Sequence, residues 1–260
     1  MPFSRHWSHQ LPSGRTIEIT TVTDRPELAN ADIDVGGWPA FMRHNRVSEA
    51  YFPQMVTAFA STCLIATADG KPIGDAHSVQ LARGDRPEFP SGGWEQSVVW
   101  AFSDARHGIR PDTACALNIS VARDFQGEGL AALLLAALRD TSAALGLAVL
   151  DAPVRPTHKH HEPTTPIQEY ASRIRPDGLP FDPWLRTHVR GGGRITGVAP
   201  ASWVIAGSLA EWRSWTGLPF DCSGPVEVPG ALVPVECDVV GDRAVYVEPN
   251  VWVRHEFSTD

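Results

Sequence analysis

The hydrophobic pattern of this chain changes period several times, and each change predicts an element. Residues Thr16 to Val22 (TIEITTV) alternate polar and apolar positions, as a half-buried strand does. From Trp38 to Ala60 the apolar residues Phe41, Met42, Val47, Phe52, Met55, Val56 and Phe59 recur at helical spacing, and Pro53 is expected to divide the segment into two helices. Two apolar runs, Cys63 to Thr67 and Lys71 to Leu81, flank Asp69-Gly70 and predict a hairpin. Residues Arg83 to Pro111 are rich in glycine, proline and charge, and read as a long loop with one short element around Val98 to Phe102.

The second half is more regular. Ala114 to Val121 (ACALNISV) reads as a buried strand, Gln126 to Ala131 as a glycine loop, and Leu130 to Leu145 as a helix with Leu130, Leu134, Leu138 and Leu145 near one stripe. Gly146 ends that helix, and Leu147 to Leu150 begins another strand. A proline- and histidine-rich excursion follows from Arg155 to Pro180, with a short helix near Ile167 to Ser172. Asp182-Pro183 has the form of an N-cap and a first-turn proline, so a helix is expected to run to about Arg190 and stop at Gly191-Gly192-Gly193. Two strands are expected near Arg194 to Val198 and Trp203 to Ala206, and a last hairpin joins Ala231–Val239 to Ala244–Val247 around Gly241-Asp242. The whole reads as an α/β (α+β) chain. Its core is expected over residues 1–210, with insertions at about 84–112 and 156–181. Residues 211–260 form a C-terminal extension packed on that core through Trp212, Trp215 and Trp252.

Composition narrows the function. With 260 residues and 43% apolar content the chain can bury a core without staples. A formal net charge of −8 argues against broad binding to nucleic acid or anionic membranes, so any anionic ligand must be held by local donors. Cys63, Cys115, Cys222 and Cys237 show no C-x-x-C spacing and read as reduced thiols, so no metal site is expected from them. The first residues lack the apolar core of a signal peptide, and the apolar stretch Gly129 to Leu150 is interrupted by Arg139 and Asp140. A soluble, cytoplasmic protein is expected. No G-x-S-x-G elbow is present, which argues against a serine hydrolase.

The informative segment is Leu117-Asn118-Ile119-Ser120-Val121-Ala122-Arg123-Asp124-Phe125-Gln126-Gly127-Glu128-Gly129-Leu130-Ala131, where a strand passes through a loop straight into a helix. Gly127 and Gly129 permit backbone angles that aim successive amides into one concavity, and the unpaired N–H groups of the helix start face the same point. A diphosphate is the natural occupant, although a glycine pair before a helix is also compatible with a plain tight turn. Gln126-Gly127-Glu128-Gly129-Leu130-Ala131 resembles the Q/R-x-x-G-x-G/A motif of the GNAT acyltransferase superfamily, and the order of flanking elements is similar from about Thr16 to Ala206.

That resemblance implies a mixed central sheet, splayed open, that holds acetyl-coenzyme A or another acyl-coenzyme A. It implies that the backbone of Ile119, Ser120 and Val121 pairs with the pantetheine arm, and that Gln126, Gly127, Glu128, Gly129, Leu130 and Ala131 hold the diphosphate. Glu128 stands where the family often has a basic residue and is expected to point to solvent. Four residues before Gly192, where many members have a proton-donating tyrosine, this chain has His188. The histidine is a candidate acid or base, or a structural residue at a helix end. Asp151, after the fifth strand, is a second candidate base. Thr157 is a candidate hydroxyl partner for His188 in a decarboxylating variant of the family. The cluster His158, His160, His161 and Glu162 offers a further base rather than a metal site.

Three functions follow. The first is acyl transfer, most often of acetyl, from acyl-coenzyme A to a small-molecule amine. The second is malonyl decarboxylation with S-acyl transfer, on coenzyme A or acyl carrier protein thioesters. The third is acyl-coenzyme A binding without catalysis.

Overall fold

The computed structural model of the chain describes residues 5–257. Its strands form one ten-stranded mixed sheet. The chain opens with an antiparallel pair, β1 (His6–Gln10) and β2 (Thr16–Thr21), of which the sequence pattern announced only the second. A 3-10 turn at Ala40–His44 leads into α1 (Arg46–Ala58), capped by the Asn45 side chain, which accepts from the Ser48 amide at 2.7 Å. Pro53 does not divide this helix, contrary to the expectation above. It lies on the exposed side, where the absent N–H costs one solvated hydrogen bond. The hairpin of β3 (Cys63–Ala68) and β4 (Lys71–Leu81) turns on Asp69 and Gly70, with φ of 49° and 74°, as a two-residue turn with both central residues left-handed requires.

The expected long loop is the largest correction. Residues Gly93–His107 form a 15-residue helix, α2, stopped by Gly108 in the left-handed conformation. Its buried face is Trp94, Val98 and Ala101, a true helical stripe masked by the glycines and prolines that precede it. There follow β5 (Thr113–Val121), α3 (Leu130–Ala144), β6 (Val149–Val154), α4 (Ile167–Ala171) and α5 (Pro183–Arg190). Asp182 caps α5 through hydrogen bonds from the amides of Trp184 and Leu185. The two expected strands after it are one, β7 (Arg194–Gly207), which keeps its course across a register shift between Ala199 and Trp203.

After β7 come α6 (Leu209–Thr216), β8 (Gly224–Val226), β9 (Val235–Asp238) and β10 (Arg243–Glu256). The expected hairpin is formed by β9 and β10. Residues 211–260 are nevertheless not an extension laid on a finished core. Strand β10 pairs with β6 over Val251–Glu256 and with β7 over Ala244–Arg254, so it is an interior strand of the sheet. Elements α6, β8 and β9 are therefore an insertion between two neighbouring strands.

Helix α3 covers one face of the sheet, packing Leu130, Leu134 and Leu138 on Leu64, Ala76, Ala116, Leu150, Val251 and Val253. Gly74 of β4 lets it approach: a Cβ there would sit 2.8 Å from the Ser120 carbonyl and 3.3 Å from Leu134. Helices α1 and α2 cover the other face, where Met55, Phe59 and Ala101 meet Ile65, Val79, Cys115 and Trp252. Burial pushes the Cys63 and Cys115 thiols up to about 12, so both are inert. Among the described residues no helix is long and apolar enough to cross a membrane.

Because Trp252 is fully enclosed and donates through Nε1 to the Pro90 carbonyl at 3.2 Å, Trp252→Ala is expected to destabilise the whole protein by about 3–5 kcal/mol. Urea unfolding should show one transition moved to lower denaturant. Loss of a separate small transition, with the main one unmoved, would mean that β10 is not integral to the core.

Candidate active site

Strands β5 and β6 run parallel and pair at only three positions: Thr113 with Val149, Ala114 with Leu150 and Cys115 with Asp151. Beyond them the strands part. At the point of parting β5 carries one extra residue, Leu117, between Ala116 and Asn118, which pair with Ser78 and His77 of β4. Such a bulge bends its strand and raises its twist. The Leu117 carbonyl accepts from Trp94 Nε1 at 3.0 Å, so the first turn of α2 is pinned to the bulge.

Past the bulge, the free edge of β5 can be read from its alternation. The Ala122 amide donates to Ile73 of β4 at 2.8 Å, which turns the neighbouring Val121, and with it Ile119, to the open side. Ile119 and Val121 thus present N–H and C=O groups to the opening. The backbone of Ser120 faces β4 instead, so of the three residues expected along the pantetheine arm Ser120 has its main chain committed elsewhere.

The loop at the mouth of this opening has the predicted form. Gly127 and Gly129 take φ of 80° and 85°. Helix α3 has no side-chain cap, and the first of its amides to find a backbone acceptor is that of Ala132, on Gly129. The amides from Gly127 to Ala131 make no hydrogen bond among the described residues. They form a concave donor set at the positive end of a helix dipole. Gln126 sets the frame, its Nε2 donating to the Val121 carbonyl at 3.1 Å and the Val35 carbonyl at 3.0 Å.

Glu128 does not point to solvent. It accepts from the Ser13 amide at 3.1 Å and is ion-paired with Arg15, both in the β1–β2 turn. Hydrogen bonds from Ser13, with those from Arg15, hold its carboxyl below the usual range. Arg15 also donates to the Asp124 carbonyl at 2.9 Å and lies 3.8 Å from the centre of the Phe125 ring. This carboxylate beside the amides is therefore neutralised by a cation brought from 113 residues away, which no local pattern could announce.

A segment of residues 29–39 crosses the mouth. At one end the Asp34 carbonyl accepts from the Arg123 amide at 3.0 Å, beside the Gln126 contact to Val35. At the other, the Trp38 ring lies 5.3 Å from the Arg155 guanidinium, just beyond the end of β6. Arg155 itself is ion-paired with the buried Glu248 at 2.9 Å and donates to the Gly230 carbonyl at 2.6 Å. On the α1–α2 side Trp94 and Trp203 meet edge to face at 4.8 Å.

The three expected catalytic side chains are not gathered here. Asp151 closes the paired end of the opening, but its carboxylate is 2% exposed and accepts two bonds from Arg254, at 2.8 and 2.9 Å, and one from Arg83. Its carboxylate is thus engaged by two guanidinium groups. His188 is buried against Trp184 and shares a 3.0 Å hydrogen bond with His255 of β10, on the α3 face. Burial and the facing imidazole lower His188 to about 3, and burial with the Arg139 charge lowers His255 to about 4. Thr157 is exposed at the N-terminal end of α5, where the neighbouring His158 amide donates to Asp182 at 2.9 Å. His188 lies six residues further along, about 9 Å of helix, with its ring turned to β10. The histidine–threonine pair is therefore not assembled. Of the histidine cluster, the His160 Nδ1 meets the Thr157 carbonyl at 2.9 Å, and no group of metal-ligating side chains converges among the described residues.

No family model matches the chain. It is 32% identical to an arginine N-acetyltransferase, AvaD, of Aspergillus versicolor, over 94% of this chain and 95% of that protein. Among solved structures it is similar to the loading GNAT-like domain of CurA from Lyngbya majuscula (TM-score 0.53, 15% identity, 79% of this chain and 81% of that one). It is also similar to the GphF GNAT-like decarboxylase in complex with isobutyryl-CoA (TM-score 0.52, 16% identity, 97% and 98%).

Two outcomes follow from this geometry. Arg15→Ala strips the cation from Glu128 beside the amide nest, so affinity for coenzyme A should fall roughly fivefold at low salt and less at high salt. Adding Glu128→Gln to Arg15→Ala should restore it, as calorimetric titration would read; no loss, or no rescue, would remove Arg15 from this role. The second concerns the histidine pair. Both imidazoles are depressed below their unfolded value of about 6.5, so between roughly pH 4 and 6.5 the unfolded chain binds more protons and stability must fall as pH drops. His188→Gln should flatten the melting temperature against pH in that window and leave turnover per folded molecule within a few-fold. A 100-fold loss of turnover at unchanged stability would return His188 to the chemistry.

Proposed function

The chain belongs to the GNAT superfamily of acyl-coenzyme A-dependent acyltransferases, and we propose that it uses acetyl-coenzyme A to acetylate an amine of a guanidino acceptor of the arginine type. Its reaction is acyl transfer to a small-molecule amine. One coincidence carries the reading: the gap between β5 and β6 opens toward a row of helix-start amides that no group of the described chain caps, in a chain similar over nearly its full length to an arginine N-acetyltransferase.

In this proposal the donor's diphosphate sits on the amides of Gly127 to Ala131. The pantetheine arm runs along the free edge of β5, bonding Ile119 and Val121 as an added strand would. The thioester then lies at the Leu117 bulge, against Trp94. The acceptor enters from the α1–α2 side beneath the 29–39 segment, with Trp94 and Trp203 as an apolar wall. The neutral amine attacks the thioester carbonyl carbon, a C–N bond forms, the C–S bond breaks, and coenzyme A leaves as thiolate. The proton released from the attacking nitrogen passes to water in the opening, since Asp151 and His188 are engaged elsewhere. Holding both reactants in line supplies the main rate gain.

A cationic acceptor suits a chain with a net charge of −8, whose overall field draws cations in. The decarboxylating alternative needs His188 free to work with Thr157, and the hydrogen bond of His188 to His255 speaks against it. The assay is thiol release from acetyl-coenzyme A and, separately, from malonyl-coenzyme A, against arginine, agmatine and lysine. Thiol release with acetyl-coenzyme A and arginine, together with an acetylated product by mass spectrometry, is expected. Thiol release with lysine alone would redirect the acceptor class, and carbon dioxide from malonyl-coenzyme A would overturn the reading.

A further inference from the structure

Along β4, Asp75, His77, Val79 and Leu81 alternate onto the face covered by α1 and α2, where Val79 and Leu81 are core. On β5, beyond the bulge, Ser120 stands opposite Asp75 and Asn118 opposite His77. Four polar side chains thus share one rim of the opening, immediately above an apolar floor. Asn118 organises them: its Nδ2 lies 2.8 Å from Asp75 Oδ1 and 2.9 Å from Ser120 Oγ.

Asp75 stands out by charge. On the same side of the sheet Asp151 faces Arg83 and Arg254, Asp104 faces Arg86, and Glu248 faces Arg155. Asp75 is half-buried, and among the described residues it has no ion pair and no hydrogen bond on its Oδ2. Next to it His77 is 3% exposed, and both its ring nitrogens are buried without a hydrogen-bond partner, while the Phe52 ring closes the inner end at 5.5 Å. Burial keeps the imidazole below its ordinary pKa, against the pull of the Asp75 charge. A partly desolvated carboxylate and an unsatisfied imidazole are costly as they stand, and each is relieved by a ligand that brings positive charge and N–H donors.

We propose that Asp75, positioned by Asn118 and flanked by Ser120 and His77, is the counter-ion of a subsite for the guanidinium of the acceptor. This rests on the acceptor reading above. The spacing fits it. From the Leu117 bulge to Asp75 is one strand sideways and two to three residues along, about 9 Å, the reach of a three-methylene guanidino side chain with its hydrogen bond. A guanidinium donates to carboxylate and hydroxyl oxygens in a plane, which the free Oδ2 and the Ser120 Oγ offer.

Citrulline, the uncharged isostere of arginine, makes the test specific. Steady-state kcat/KM for arginine and citrulline is measured with the parent and with Asp75→Asn, which keeps the shape and the Asn118 contact. Coenzyme A affinity and melting temperature are followed in parallel, and Asp75→Ser serves as a second variant if Asp75→Asn melts early. The parent should prefer arginine, and the variant should lose that preference by roughly 30-fold, through KM, with coenzyme A affinity within twofold. An arginine-to-citrulline ratio unchanged in a folded variant overturns the subsite while leaving the acyltransfer reading intact. A parent that accepts neither arginine nor agmatine overturns the subsite and the guanidino acceptor together, and leaves acyl transfer to another amine.

Discussion

Everything about this molecule that bears on chemistry depends on how little β5 and β6 hold each other. Three residue pairs join them, and a fourth is prevented by a bulge whose carbonyl is taken by Trp94. Unpaired backbone groups inside a protein are costly, and a sheet left to itself would close. Here the parting is enforced from outside the two strands. Helix α2 pins the bulge from below, while Arg83 and Arg254 tie Asp151 at the vertex, so the lower ends of the strands are held by charge as well as by ladder bonds. The free edge of β5 is then available to another extended chain, and the arm of an acyl carrier has that shape.

The electrostatics are local for the same reason. A chain that is acidic overall holds an anionic donor only where amides and a helix dipole act at contact distance, and where its own nearby carboxylate is silenced by Arg15.

The sequence was legible wherever structure is made by neighbours in the chain. The Asp69-Gly70 turn, the Asp182 cap, the leucine stripe of α3 and the glycines before it each act within a few residues, and each was found where expected. The failures share a cause. Helix α2 begins at Gly92-Gly93 with no capping side chain, because its first turn is held by Ser202, whose Oγ accepts from the Trp94 amide at 2.9 Å. Pro53 is tolerated because its side of α1 is wet. Glu128 and Asp151 read as free carboxylates because their arginines are far off in sequence. His188 looked chemical because of its place in the last turn of a helix, four residues before Gly192, and only the packing of β10 shows that its partner is His255. Residue type and spacing announced the form of the glycine loop and the uncapped start of α3; they did not announce which side chains those carboxylates and that histidine meet.

The placement of β10 has a consequence for how the chain reaches this state. The strand that flanks β6 comes about a hundred residues after it in the chain, behind α6, β8 and β9. Until β10 arrives, β6 is an edge strand with a bare backbone and an apolar flank, touching β5 at three positions only. Closing so long a loop is entropically slow, and contacts of this separation dominate folding time. The half-built sheet is thus the vulnerable species, exposed to pairing with other chains for as long as β10 is missing. The same weak β5–β6 contact that admits a ligand makes the protein depend on its last strand to become one body.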